Sequence, residues 1–164
     1  MKRLYMIAGP MGVGKTAVSR ELKMRLENCV FLDGDWCWDS DPFLVTEETK
    51  TMVTDNICHL LNNFLRCSAY DNVVFCWVMH EREILDSVLE RLDVSGTEVK
   101  ACALVCTKEA LKERLYRDIE DGKRDESVIS RSIERLECYP RLGVRLIDTT
   151  NLTAADAAEL VISG

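Results

Sequence analysis

Leu4-Tyr5-Met6-Ile7-Ala8-Gly9-Pro10-Met11-Gly12-Val13-Gly14-Lys15-Thr16 is the stretch that decides how this chain is read. Its first five residues form a continuous apolar run, of the length of a strand and unbroken, as in a strand covered on both faces. The next eight, Gly9 to Thr16, fit G-x-x-x-x-G-K-[ST] at every fixed position. Glycines let such a loop turn tightly and bring backbone N–H groups up to phosphate oxygens. The helix that opens at the end of the loop adds the partial positive charge of its N-terminus. Lys15 is placed to reach β- and γ-phosphates, and the Thr16 hydroxyl to bind Mg²⁺. Gly9, Pro10, Met11, Gly12, Val13, Gly14, Lys15 and Thr16 are therefore expected to hold a nucleoside triphosphate. The bland alternative is a glycine-rich strand–helix turn with an exposed lysine.

Outward from this loop the same alternation continues. Further short apolar runs occur at Cys29–Leu32, Val73–Val78, Ala101–Cys106 and Val144–Ile147. Between them the apolar residues fall at helical spacing. Val53, Ile57, Leu60, Leu61, Phe64 and Leu65 make one stripe within Glu47–Arg66. Ile84, Leu85, Val88, Leu89 and Leu92 make a second, Leu111, Leu115 and Ile119 a third, and Ile129, Ile133 and Leu136 a fourth. A last helix is expected from Thr153, an N-cap with Asp156 three residues on. Strand–helix alternation from end to end predicts an α/β fold: three layers around a five-stranded parallel sheet. A length of 164 residues predicts a single domain, residues 1–164. The least periodic stretch, Glu120-Asp121-Gly122-Lys123-Arg124-Asp125-Glu126, reads as an exposed loop between two helices.

Composition narrows the functional classes. The net charge is −7, which argues against generic nucleic-acid binding, where a basic face supplies most of the affinity. No apolar stretch approaches the ~18 residues of a membrane span, so no membrane partner is expected. The start of the chain is too short an apolar segment for a secretory leader. Eight cysteines lie without CxxC pairs, several of them inside apolar runs, where reduced cysteine acts as a small hydrophobe. Free thiols and a cytoplasmic location are the expectation, with no zinc site.

The second strand ends in Leu32-Asp33-Gly34-Asp35-Trp36. In open α/β sheets ligands sit beyond the carboxyl ends of the strands. In an extended segment Asp33 and Asp35 would project to one side. Two carboxylates beside a polyphosphate can divide their work: one positions Mg²⁺, the other accepts a proton from an attacking hydroxyl. Asp-Gly is also a common turn pair.

With the loop, the strand-end D-x-D and the helix–polar loop–helix after the fourth strand on the page, the chain resembles the small-molecule kinases related to nucleoside monophosphate kinases. Shikimate, gluconate and adenylylsulfate kinases and chloramphenicol phosphotransferase share this plan. The resemblance implies strand order 2-3-1-4-5, ATP and Mg²⁺ as cofactors, and a lid at about 118–128. It implies a metal site at Thr16 and Asp33, with Asp35 as catalytic base beside Lys15. It also implies that Arg117 packs on adenine or touches phosphate, that Arg124 closes over the γ-phosphate, and that Thr150, after the fifth strand, borders the base. Surface pairing of Glu113 with Arg117 and of Arg114 with Asp118 is the competing reading, and Arg131 and Arg135 are expected to face solvent. Trp36-Cys37-Trp38 and Trp77-Val78-Met79-His80-Glu81 depart from the relatives' patterns. Trp36, Trp38 and His80 are candidates to line an acceptor pocket, whose wall would be the segment from Ser40 and the helix Glu47–Arg66. The expected activity is ATP-dependent phosphorylation of a small hydroxyl-bearing molecule by a monomer or homodimer. An unusual nucleoside monophosphate kinase and a non-catalytic ATP-binding switch are the alternatives.

Overall fold

The computed structural model describes residues 1–164. Five parallel strands form one sheet: β1 Lys2–Ala8, β2 Cys29–Asp33, β3 Asn72–Cys76, β4 Thr97–Val105 and β5 Arg145–Asp148. Their order is β2-β3-β1-β4-β5, as the resemblance implied. Six helices cover the sheet: α1 Lys15–Arg25, α2 Glu47–Arg66, α3 Arg82–Leu89, α4 Lys108–Glu120, α5 Val128–Leu136 and α6 Ala154–Ser163.

The unbroken apolar runs are explained by the two cores. Side chains alternate across a strand, so Leu4, Met6 and Ala8 enter one core while Tyr5 and Ile7 enter the other. Val73 and Phe75 go with the first set, Val74 and Cys76 with the second. The first core is closed by Val53, Ile57 and Leu61 of α2 and Leu85 and Val88 of α3. The second is closed by Val18 and Leu22 of α1, Leu111 and Leu115 of α4, and Ala157 and Val161 of α6. Loading apolar area onto both faces is what makes a wholly parallel sheet stable.

Helix boundaries follow capping chemistry. Thr46 and Thr49 form a capping box at the start of α2, and Thr153 and Asp156 form one at α6, as read from the sequence. Thr107 caps α4 by accepting from the Ala110 N–H. All eight cysteines are free. No helix is long and apolar enough to cross a membrane.

Two strand ends differ from expectation. β3 stops at Cys76 rather than Val78. Trp77 N still donates to Ile7 O and Gly9 N to Val78 O, so the chain stays beside β1 while leaving regular geometry. Met79, fully buried, then takes φ +32°, a conformation that non-glycine residues seldom adopt. His80 therefore lies past the strand, not at its end. β2 runs to Asp33, and Gly34–Cys37 coil into a 3₁₀ turn.

Candidate active site

At the carboxyl ends of the strands, the loop from Gly9 to Thr16 opens into α1. Gly14 takes φ +105° and Gly12 φ +82°, both in the left-handed region that glycine enters without strain. At Gly12 a Cβ would also lie 2.6 Å from Leu115 Cδ2, so the loop sits tightly on α4. Above it lies a cleft of about 420 Å³. Met11, Gly12, Gly14, Lys15, Thr16 and Ala17 line its floor, and Arg114, Arg117, Asp118, Lys123 and Arg124 its far wall. Arg20 and Asp35 complete it. Six Lys and Arg side chains converge there with two carboxylates, in a chain of net charge −7. Such concentrated positive charge suits a polyphosphate. Gly9, Pro10 and Val13 shape the loop from behind: Val13 is buried, and the Pro10 carbonyl accepts from Lys15 Nζ at 2.9 Å. Burial lowers the Lys15 pKa, with the Asp35 and Asp33 carboxylates opposing the shift.

The aspartates divide as the 3₁₀ turn dictates. They do not project together from an extended segment. Asp33 is buried and turned toward α1. Its Oδ2 accepts from Thr16 Oγ1 at 2.7 Å, and its Oδ1 accepts from Asp35 N at 3.1 Å. Asp35, two residues on, lines the cleft. Partial desolvation pushes its carboxyl pKa above the ordinary 3.8, helped by the Asp33 charge; Lys15, Arg124 and Trp77 pull it back. Gly34 between them is required by space, since a Cβ there would meet the Trp77 ring at 2.5 Å.

The Thr16–Asp33 pair fits Mg²⁺. It offers a hydroxyl and a carboxylate, hard oxygens suited to this ion, and no cluster of three acidic or cysteine/histidine ligands exists. Mg²⁺ takes few protein oxygens and completes its shell with water and phosphate.

The arginines are arranged differently from the sequence expectation. Arg114 does not pair with Asp118. Its guanidinium reaches Val13 O at 3.1 Å, Thr149 Oγ1 at 3.0 Å and Thr149 O at 2.7 Å. It thereby ties the phosphate loop to the turn after β5. Asp118 instead holds Arg124 Nε at 3.0 Å, which keeps Arg124 over the cleft. Arg117 is exposed on the cleft wall and forms no ion pair with Glu113. Arg131 is exposed, but Arg135 is half-buried and close enough to His80 to depress its pKa. The Thr150 hydroxyl is engaged within its own turn, donating to Asp148 Oδ1 at 2.6 Å and accepting from Thr107 N at 3.0 Å.

The remaining candidates do not gather into one pocket. Trp36 packs edge-on against Phe31, whose side chain belongs to the α1-side core. Trp38 packs against the α2-side core and stacks on Phe43 with ring centroids 4.4 Å apart. The 3₁₀ turn rotates successive residues away from the period of two, and so sends the rings to opposite faces. Neither tryptophan nor His80 lines the cleft. His80 is largely buried, its Nδ1 without a hydrogen-bond partner and its Nε2 3.5 Å from Glu81 Oε1. Burial, then Arg135, lower its pKa from the ordinary histidine value, with Glu81 opposing.

Arg114, Arg20 and Lys123 are cleft residues that the sequence reading passed over. Two of them left a signal. Arg20 is four residues from Thr16, on the same face of α1. Arg114 lies between Leu111 and Leu115, both fully buried, at the edge of the apolar stripe. Arg114→Met is expected to lower unfolding free energy by about 1–3 kcal/mol, because it strips a charged donor from acceptors on the buried residues Val13 and Thr149. Arg117→Met should leave stability unchanged. Urea denaturation of both variants checks this contrast.

The sheet order, the glycine loop on β1 and the helices on both faces define a P-loop NTPase fold. A family model described as AAA domain matches residues 6–137, and the chain belongs to that family. Among curated proteins none matches. Among solved structures, the tunicamycin resistance protein of Deinococcus radiodurans superimposes with a TM-score of 0.77 at 20% identity, over 99% of this chain and 95% of that one. The gluconokinase of Sinorhizobium meliloti gives 0.71 at 18% identity, over 97% and 89%. The shikimate kinase of Acinetobacter baumannii, in complex with shikimate, gives 0.65 at 21% identity, over 99% and 92%. The fold is thus shared with these proteins over 97–99% of this chain.

Proposed function

We propose that this protein transfers the γ-phosphoryl group of ATP to a hydroxyl of a small molecule. The observation that carries the reading is Asp35, an ionisable carboxylate in the same cleft as Lys15, Thr16 and Arg124. The similar folds named for gluconokinase and shikimate kinase support it.

The chain's own groups account for the chemistry. The loop N–H groups and Lys15 hold the β- and γ-phosphates. Thr16 and Asp33 would hold Mg²⁺, which when bound supplies charge neutralisation on the phosphate oxygens. Asp35 accepts the proton as the acceptor oxygen bonds to phosphorus and the bond to the β–γ bridging oxygen breaks, leaving ADP. Arg124, held by Asp118, neutralises the charge that spreads over the migrating group. Residues 118–128 act as the lid that brings it there.

The monophosphate kinase alternative needs arginines near the acceptor pocket, and Arg66 and Arg82 are the nearest along the chain. Arg66 ends α2 beside Cys67, whose carbonyl accepts from Lys2 Nζ at 2.7 Å. That is the strand-start edge of the sheet, away from the cleft. Arg82 is held by Asp86 and by Leu142 O at 2.9 Å.

Purified protein with MgATP and a panel of sugars, nucleosides and hydroxyl-bearing antibiotics tests the reading through acceptor-dependent ADP release. Hydrolysis that no acceptor alters would favour the ATP-binding switch instead. The pH profile carries a further expectation. As a base, Asp35 works ionised, and its raised pKa moves its protonation to higher pH. The acid limb of kcat/KM for the acceptor should therefore lie above pH 3.8, the ordinary carboxyl value. A limb at or below that value would remove Asp35 from the role of base.

A further inference from the structure

Four of the ten large hydrophobic side chains left exposed on this protein fall within a single short segment: Phe43, Leu44, Val45 and Met52. Phe43, Leu44 and Val45 are 59%, 57% and 58% exposed and consecutive, where the exposed large hydrophobics outside this segment are isolated along the chain. Contiguous exposed apolar residues mark binding surfaces more often than chance.

This patch is fixed to the Asp35 turn at one end and to α2 at the other. Trp38 N donates to Asp35 O at 3.4 Å, and the Trp38 ring stacks on Phe43. Thr49 Oγ1 donates to Leu44 O at 2.8 Å, and Asn56 Nδ2 to Cys37 O at 3.1 Å. The nucleotide cleft offers no comparable surface, with two hydrophobic residues among its thirteen. Along the chain from Asp35, the exposed large apolar side chains are Trp36, which packs on Phe31, and then this segment.

Charge selects among occupants. The apolar residues are fringed by Asp39, Asp41, Glu47 and Glu48, and of these only Glu47 meets a cation, Lys50 at 2.9 Å. A second copy of the chain would bring the same acidic fringe against itself. A phosphate- or carboxylate-bearing acceptor would be repelled. A neutral or cationic molecule would not.

We propose that the phosphate acceptor is a neutral or cationic hydroxyl compound with an aromatic or alkyl body, and that the body lies on Trp38, Phe43, Leu44 and Met52 while the hydroxyl reaches Asp35. The proposal rests on the phosphotransferase reading and names its substrate class.

The test uses the full chain saturated with Mg²⁺ and a non-hydrolysable ATP analogue. Benzyl alcohol and 4-biphenylmethanol are the probes, and binding is read by saturation-transfer NMR. The larger ring system is expected to bind about tenfold more tightly, since the gain follows buried apolar area. Phe43→Ser with Leu44→Ser should abolish that preference while leaving ATP-analogue affinity unchanged. Met52→Ser alone should reduce it, which keeps the test open if the double variant misfolds. Equal affinity for both alcohols overturns the proposal. So does a wild-type dimer that the double variant splits, because the patch is then a subunit interface. ADP release stimulated by polyols but not by aryl alcohols overturns it too, while leaving the phosphotransferase reading intact. Ring-dependent binding without phosphorylated product for any hydroxyl compound does the reverse: it supports the apolar site and sinks the transfer reaction.

Discussion

Lys15→Met is expected to lower turnover by about 10²–10³ and to weaken MgATP binding by about 10- to 100-fold. Methionine keeps most of the length and apolar stem of lysine but removes the charge and three donors. Lys15 Nζ is held by Pro10 O at 2.9 Å, so the side chain lies folded on the loop it serves. Reaching a phosphate exchanges a neutral carbonyl for an anionic partner, and hydrogen bonds to charged acceptors are about twice as strong. The loop itself should survive the change, because its shape depends on Gly12, Gly14 and the packing of Val13. Calorimetric titration with MgATP and a steady-state assay separate the two losses. Wild-type affinity in this variant would mean that the cleft binds something other than a triphosphate.

Asp35→Asn is expected to reduce kcat by about 10²–10⁴ with MgATP affinity close to unchanged. The substitution keeps size and hydrogen bonding but cannot take the proton of the acceptor hydroxyl. Asp33→Asn should behave differently. Asp33 is buried and accepts from both Thr16 Oγ1 and Asp35 N, so its loss affects Mg²⁺ and the turn together. The sign of the stability effect also sets Asp35 apart. Its pKa is raised in the folded protein, so ionisation disfavours the native state as pH rises through that value. Removing the charge should therefore raise, not lower, the melting temperature of the nucleotide-free protein at pH 7. A residue that costs stability while supporting turnover is the pattern expected of a functional group.

The sequence disclosed those parts of the site that a contiguous stretch builds alone. Residues Gly9–Thr16 make their own loop, with Gly12 and Gly14 at positive φ. Asp33 and Asp35 were legible as strand-end carboxylates, since the strand carried its own apolar signature. What escaped was set by distance along the chain. Arg114 looked like a surface helix residue because its partners, Val13 and Thr149, are far from it in sequence. In an extended segment Trp36 and Trp38 would make one wall, whereas a 3₁₀ turn rotates them onto Phe31 and Phe43 respectively. The apolar run Val73–Val78 reads as one strand, but β3 stops at Cys76. Met79, at φ +32°, breaks the strand in a way that periodicity does not register. The strand order came from resemblance, since alternation alone fixes a parallel sheet but not its permutation.

The central claim is transfer of phosphate to an acceptor under the control of Asp35. Phosphorus-31 NMR of a reaction containing MgATP and a panel acceptor tests it most directly. The account predicts a new phosphomonoester signal growing in step with ADP, with little free phosphate, and its loss in Asp35→Asn. Free phosphate alone, released at the same rate with or without acceptor and in both proteins, would contradict it.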